Sequence, residues 1–390
     1  MIHYVAKIVE TIAVAGVASA IGYYALCLWS AASFNRERRD LQIEQLGGFA
    51  PPVSILKPLK GVDVELYEAL RSHCRQDYPE YEIIFGLSDA DDPALALVSR
   101  LQKEFPRATI QCVICDKKLG TNTKVSNLAQ MLPAARYDHL IVNDSDICVP
   151  ADYLQKVMRP MSNAKIGMAT CLYRGIAAPT LGSRLESLGI STDFCPGVLV
   201  ARYLESGLHF ALGSTLAFRR QDLEAISGFE SFADYLADDY ELARRIVQRG
   251  FEVHLSELVV ETFLPPYSLR QFLDHQLRWL RGVRGCRPGG YAGLIFTFGI
   301  PWALLALAVS SAAPWAWGLL ALTLGLRLAV ALATAVVVLR DPRVVRLLWL
   351  IPLRDVVALL LWVASFTGST VSWRGDTFYL KDGKLARISP

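Results

Sequence analysis

Two aspartates one residue apart, Asp144 and Asp146 in "NDSDICV", have the residue type and spacing of a cation site. The apolar run before them reads as a β-strand, and strand periodicity sends both carboxylates to one face. Carboxylates held that close repel each other unless a cation lies near them. Hard oxygen ligands suit Mg2+ or Mn2+, which keep few protein ligands and take the rest from phosphates and water. A polar turn is the simpler alternative, since Asn143 and Ser145 accompany them.

Three further stretches carry charge at suggestive places. "LSDADDP" offers Asp89, Asp91 and Asp92, of which Asp92, ahead of Pro93, is explained as a helix cap. "YLADDYELARRI" sets Asp238 and Asp239 at a helix start, where capping is again the alternative. "KKLGTNTKVSN" is a Lys- and Gly-containing turn that enters a helix through Lys124, a suitable neighbour for phosphate. Lys57, at the end of the strand in "VSILKPLKG", is a second candidate contact for a nucleotide donor. In "HQLRWLRG", helical spacing puts His275, Arg278, Trp279 and Gly282 on one face. That stripe is either a basic helix lying on anionic lipid or an anion-binding wall beside a membrane.

The elements that must position these residues alternate in type. Short apolar runs ("VSILKPL", "YEIIFGL", "ATIQCVICD", "YDHLIVN") are separated by amphipathic stretches ("VELYEALRSHCRQ", "PALALVSRLQKEF", "KVSNLAQMLPAA"). The pattern predicts an α/β domain with a Rossmann-like, mainly parallel sheet. Ligands of such sheets bind beyond the carboxyl ends of the strands, where both acidic clusters fall.

The 390 residues are 53% hydrophobic, and the excess is uneven. Glu10–Phe34 is almost uncharged and runs into "RERR" (Arg36–Arg39), while Tyr291–Leu339 holds a single arginine, Arg327. Each reaches the roughly 20 residues needed to cross a bilayer. "ASA" (Ala18–Ala20) resembles a signal-peptide cleavage site, but the apolar run continues past it, which favours an uncleaved anchor. The predicted organisation is a transmembrane anchor (1–35), a cytoplasmic catalytic domain (36–288), C-terminal membrane segments (289–370) and a tail (371–390). "RERR" and "RDPRVVR" (Arg340–Arg346) place the central domain in the cytoplasm and the uncharged Ser311–Trp315 turn outside. Arg354 and Asp355 interrupt the last apolar segment, leaving crossing and re-entrant readings open. Arg327 either snorkels to an interface or faces the helix bundle and pairs with Asp355 or a polar acceptor group. A net charge of +3 excludes a strongly basic nucleic-acid binder. The lone CxxC, "CVIC" (Cys112–Cys115), reads as packed strand thiols rather than a zinc site.

In combination, "ILKPLKGVD", "SDADDPA", "DSDICV", "ADDYELA", "LRWLRG" and "SWRGDTFYL" resemble family-2-type glycosyltransferases with a GT-A fold, and within them the ceramide glucosyltransferase branch. The resemblance covers residues 50–285 well and the C-terminal region more loosely. It implies that Asp92, with Asp89, holds the uracil or ribose of a UDP-sugar, and that Asp144 and Asp146 hold a divalent cation on the diphosphate. It implies Asp239 as the general base toward an acceptor hydroxyl, with direct displacement inverting the anomeric centre. Arg278 and Trp279 match the end of the (Q/R)xxRW element, whose first position here is His275. Gln276 is rotated about 100° from it around a helix and is no simple substitute.

The Ala- and Arg-rich composition and the tail "SWRGDTFYLKDGKLARI" resemble bacterial hopanoid biosynthesis-associated glycosyltransferases. That resemblance implies a bacterial inner-membrane enzyme moving N-acetylglucosamine from its UDP form to a hopanoid polyol, placed ahead of UDP-glucose to ceramide. Three rivals remain: a processive polysaccharide synthase, an inactive nucleotide-sugar-binding protein and a polyprenyl-phosphate glycosyltransferase. The first needs a larger membrane portion, the second predicts a lost acid, and the third needs no base.

Overall fold

The computed structural model describes residues 2–43, 48–373 and 376–387. Its contacts divide the chain into two compact units. One gathers Gln45–Ala178, Leu204–Pro265 and Gly375–Pro390, and the other Met1–Glu44, Pro179–Tyr203 and Pro266–Arg374.

The first unit is built on one eight-stranded sheet. Its strands are β1 (Val53–Leu59), β2 (Tyr81–Leu87), β3 (Thr109–Ile114), β4 (His139–Val142), β5 (Ile147–Cys148), β6 (Ile166–Ile176), β7 (Leu216–Arg219) and β8 (Glu252–Phe263). Their order is β3-β2-β1-β4-β7-β6-β8-β5. β1 runs parallel to β2 and β4, and β2 parallel to β3. β1 is buried along its whole length, as a parallel strand covered on both faces must be, and its near-continuous apolar sequence reflects that. The parallel run is interrupted at β7, which pairs antiparallel with both β4 and β6; β6 and β8 are parallel again, and β5 is antiparallel to β8. The sheet is thus mixed, with its parallel half made of the alternating segments legible in the sequence. Lys57 lies within β1 near its carboxyl end, and Asp89 and Asp144 each lie two residues past the ends of β2 and β4. Cys112 lies on β3 and buried Cys115 just beyond it, and all eight cysteines are free thiols.

A small hairpin, Asp376–Lys381 with Lys384–Arg387, also belongs to this unit. Its two-residue turn puts Asp382 at φ 51° and Gly383 at φ 77°. Asp-Gly suits a tight hairpin because both central residues of a type I′ turn need positive φ.

The second unit is helical. Among the described residues three helical stretches are long and apolar enough to cross a membrane: Tyr4–Asp40, Pro314–Val338 and Pro342–Ser365. A pair bent by 51°, Pro288–Thr297 with Gly299–Val309, makes a fourth if it counts as one span. The segment interrupted by Arg354 and Asp355 is therefore long enough for a crossing. Two stretches inside residues 36–288 pack here as well. The helices Leu181–Gly189 and Leu269–Cys286 contribute Leu185, Leu188 and Phe272 to a core shared with Ile300, Ala331 and Ile351. Their apolar stripes need a buried partner, and the neighbouring helices supply it.

Arg327 faces the interior of this unit rather than an interface. Its Nε and Nη2 donate to the two oxygens of Asp355 at 3.0 and 2.8 Å, and Nη1 donates to the Thr192 carbonyl at 2.9 Å. Nη2 also reaches Asp193 Oδ1 at 2.5 Å, while Arg354 Nη2 lies 3.2 Å from Asp193 Oδ2. Asp193 sits in a π-helical turn, Ile190–Phe194, between two α-helices. The charge that interrupts the apolar sequence is compensated within the unit.

Candidate functional site

Asp144 lies two residues past β4, and its half-exposed carboxylate is the centre of the sheet unit's charged cluster. Oδ1 accepts from Lys124 Nζ at 2.8 Å, and the same ammonium lies 2.8 Å from Asp238 Oδ2. Lys124 comes from the first turn of the helix Thr123–Met131, which Asn122 caps by accepting from the Val125 amide. Asp238 opens the helix Asp238–Gln248, where an acid also complements the helix dipole. One lysine thus ties the strand-end acid to the helix-start acid, residues almost a hundred positions apart. Burial opposes the charge of Lys124, but Asp144 and Asp238 outweigh it and raise its pKa.

Asp239 is held beside this pair by backbone donors. Its Oδ2 accepts from Gly213 N at 2.9 Å, and its Oδ1 from Tyr240 N at 2.7 Å. Burial, followed by the neighbouring charge of Asp238, pushes its carboxyl up to about 7 despite the opposing pull of Lys124. A carboxylate in that range can accept a proton at neutral pH more readily than an ordinary one. Gly213 is the residue that makes the arrangement compact: a Cβ there would lie 2.9 Å from Asp144 Oδ2 and 3.4 Å from Asp239 Oδ2.

Asp146 is oriented by Thr262 on β8, whose hydroxyl donates to Oδ2 at 2.6 Å. Burial and then the charge of Asp144 raise its pKa, as expected of two crowded carboxylates. Among the described residues no group of three or more His, Cys, Asp or Glu side chains converges on a common metal position. Two carboxylates suit a hard cation of the Mg2+ class, which takes its remaining ligands from phosphate and water, and do not suit a closed zinc-type site.

Lys57 is wholly buried, with Nζ donating to the Asp144 carbonyl at 3.0 Å and lying 3.4 Å from His73 Nε2. Burial lowers its pKa to about 7 against the pull of Asp146 and Asp144. It supports the Asp144 backbone from beneath rather than presenting its ammonium to solvent. Asp92 ties two loops together: both its oxygens accept from Gly61 N, at 3.0 and 2.9 Å, and Oδ1 also accepts from Ala94 N at 2.9 Å. Asp89 accepts from the Asp91 amide at 2.9 Å and is otherwise exposed. The cap reading for Asp92 thus holds at Ala94, and Gly61 adds a second, long-range function.

His275, Arg278 and Trp279 lie in the helical unit, on Leu269–Cys286, whose start carries a capping box of Ser268 and Gln271. His275 stacks on Tyr267 with ring centroids 5.4 Å apart, and its Nδ1 lies 3.5 Å from Glu186 Oε1. Trp279 meets His275 at 5.9 Å and packs edge-on against Phe194, also at 5.9 Å. Gln276 reaches the other oxygen of the same carboxylate, donating to Glu186 Oε2 at 2.7 Å, and accepts from Arg354 Nη2 at 3.1 Å. Sequence reasoning had no signal for Gly213 or Thr262. Asn122 was not singled out either, although its place just ahead of a helix is a standard capping position.

The family model for "Glycosyl transferase family 21" matches residues 12–386. Ceramide glucosyltransferase 3 of Caenorhabditis elegans is 25% identical over 252 residues, covering 64% of this chain and 54% of that protein. Ceramide glucosyltransferase 1 of the same organism is 26% identical over 232 residues, covering 59% and 49%. The chain thus spans about half the length of the curated relatives it matches. Among solved structures, the mannosyltransferase PcManGT from Pyrobaculum calidifontis, in complex with GDP-Man and Mn2+, superposes with a TM-score of 0.54 at 19% identity. It covers 92% of this chain and 99% of its own, and the likeness establishes a shared GT-A fold.

Proposed function

We propose, because the chain belongs to glycosyl transferase family 21, that it moves a sugar from a UDP-sugar to a hydroxyl of a membrane lipid with inversion. The observation that carries this reading is the Lys124 bridge between Asp144 and Asp238, with Asp239 held alongside by Gly213. A strand-end acid for the donor and a helix-start acid for the acceptor are thereby gathered into one cluster.

Asp239 is the base. An alcohol's pKa lies far above 7, so its proton needs an acceptor within hydrogen-bond reach as the oxygen attacks. Asp92 and Asp89 hold the nucleoside, and Lys57 fixes the backbone from which Asp144 projects. Lys124 compensates the acids and offers a positive charge toward the donor's phosphates. A divalent cation held by Asp144 and Asp146 would supply charge stabilisation for the departing diphosphate. Arg278, Trp279 and, in the first position of that element, His275 are assigned to the diphosphate and the acceptor on the (Q/R)xxRW resemblance alone. The catalytic domain faces the cytoplasm of a bacterial inner membrane, where UDP-sugars are made.

The acceptor is a ceramide-type lipid and the donor UDP-glucose, ahead of the hopanoid polyol with UDP-N-acetylglucosamine. This reverses the ranking from the sequence, because the curated relatives are named ceramide glucosyltransferases. The test offers the purified full chain both donors against both lipids, with products read by mass spectrometry. Glucosylated ceramide is the expected product. Hopanoid product alone would restore the other order, and no transfer to either lipid would overturn the lipid reading.

A further inference from the structure

We propose that Asp234 is a positioning residue for the reaction, and that the C-terminal hairpin latches through it the two loops leading to Lys124 and to Asp238–Asp239. The inference rests on the transfer reading above and adds a residue and an element to it.

Asp234 is exposed and lies in the short loop between two helices, yet it is a hub. Its Oδ1 accepts from the Thr121 amide at 2.9 Å and lies 3.0 Å from the Thr121 hydroxyl. Its main-chain carbonyl accepts from the Leu385 amide, on the second hairpin strand, at 2.7 Å. Two residues on, Leu236 N donates to the Gly383 carbonyl at 3.0 Å, and the Lys384 ammonium lies 5.2 Å over the Tyr235 ring. The Thr121 hydroxyl, which has one proton, also lies 3.1 Å from the Leu385 carbonyl. Three separate segments are thus pinned at one point.

The pinned loops are those that carry the charged cluster. Thr121 precedes Lys124 by three residues, and Asp234 precedes Asp238 by four. Between them buried Asn122 donates from its side chain to the Tyr235 carbonyl at 2.8 Å, and its amide donates to the Ala233 carbonyl at 2.7 Å. Gly120 allows this closeness, since a Cβ there would lie 2.5 Å from Ala233. The Lys124–Asp238 ion pair spans the far end of the same clamp. A two-stranded hairpin has little stability alone, and the hydrogen bonds that Leu385 and Gly383 make to the Asp234–Leu236 loop tie it to the sheet unit.

The test compares the full-length wild type with Asp234→Ala and Asp234→Asn, by hydrogen exchange and by transfer kinetics. Asn keeps an oxygen that can accept from Thr121, whereas Ala removes it. In Asp234→Ala, amides of residues 121–125 and 236–240 should exchange about ten-fold faster, with β1 and β2 unchanged. Its kcat should fall about ten-fold with the donor KM within two-fold, since misplaced groups cost rate. Asp234→Asn should restore both. Unchanged exchange in Asp234→Ala, a loss spread over the whole sheet, or an Asn variant as impaired as Ala would overturn the latch. If the wild type transfers no sugar, the transfer reading fails while the exchange data still decide whether the hairpin orders these loops.

Discussion

Arg327 in the helical unit meets two carboxylates and a threonine carbonyl, and its side chain is 4% exposed. Lys124 in the sheet unit also meets two carboxylates, but one of them, Asp144, keeps 43% of its side chain exposed. Both centres place a cation between acids drawn from distant parts of the chain. In the first, the guanidinium fork satisfies Asp355 with two donors and the pair is sealed, with Asp355 7% exposed. In the second, the ammonium is a point charge, and open carboxylate oxygens remain for something outside the protein. The Arg327–Asp355 pair holds helices together, and under the proposed function the open Asp144 oxygens are where donor chemistry would take place. Substitutions should therefore separate the two: stability at the closed centre, turnover at the open one.

The largest effect is expected at the open centre. Asp239→Asn should lower kcat by about 10² to 10⁴-fold, the usual worth of a general base. UDP binding should stay within a few-fold, because the nucleotide is assigned to Asp92 and the acids after β4. Near wild-type turnover would remove Asp239 from the base role, and with it the functional half of the comparison.

At the closed centre, Arg327→Leu should destabilise by about 3–5 kcal/mol, because Asp355 is left buried and uncompensated. Thermal unfolding in detergent measures this. The double variant Arg327→Leu with Asp355→Leu should regain most of the loss, since a well-packed apolar pair can replace a buried ion pair. A single variant as stable as the wild type would show the pair to be dispensable.

The sequence exposed these centres to different degrees, and the reason is physical. Asp144 and Asp146 were visible because a strand end projects residues i and i+2 to one side. Asp238 and Asp239 were visible because acids favour helix starts. That Lys124 bridges the two groups was not visible, since helix Thr123–Met131 and helix Asp238–Gln248 meet only in three dimensions. Gly213 carried no local signal at all, because its importance is the absence of a side chain between two remote carboxylates. In the sheet, the parallel half β3-β2-β1-β4 followed from alternating apolar segments. The antiparallel insertion of β7 did not, because a four-residue strand has too little periodicity to declare its direction. Arg327 and Asp355 were legible as misfits in apolar runs, and a misfit charge in a membrane segment needs a partner.

A smaller effect should come from pH. Asp239 is raised to about 7, so its basic form is depleted as pH falls below that value. The sign is fixed: transfer should rise with pH through about 7 and then level off, falling about ten-fold per unit on the acid side. The closed centre should contribute nothing to this profile. A profile flat between pH 5.5 and 8 in kcat would contradict Asp239 as the titrating base.

The finest comparison uses one glycine beside each centre. A Cβ on Gly213 would lie 2.9 Å from Asp144 Oδ2, the end of an exposed side chain that can rotate away. A Cβ on Gly189 would lie 2.6 Å from Arg354 Nη2 and 2.7 Å from its Nε, and the buried Arg354 is held there by Asp193 and Gln276. Gly213→Ala should therefore leave the unfolding temperature nearly unchanged while kcat drops several-fold, because the carboxylate moves but the fold does not. Gly189→Ala should lower the unfolding temperature, since overpacking a tight interior costs about 1–3 kcal/mol. The split is read by measuring both quantities on both variants. If Gly213→Ala lost stability and kept its kcat, the open cluster would be a structural brace like the other, and Asp144 would lose its claim to the donor.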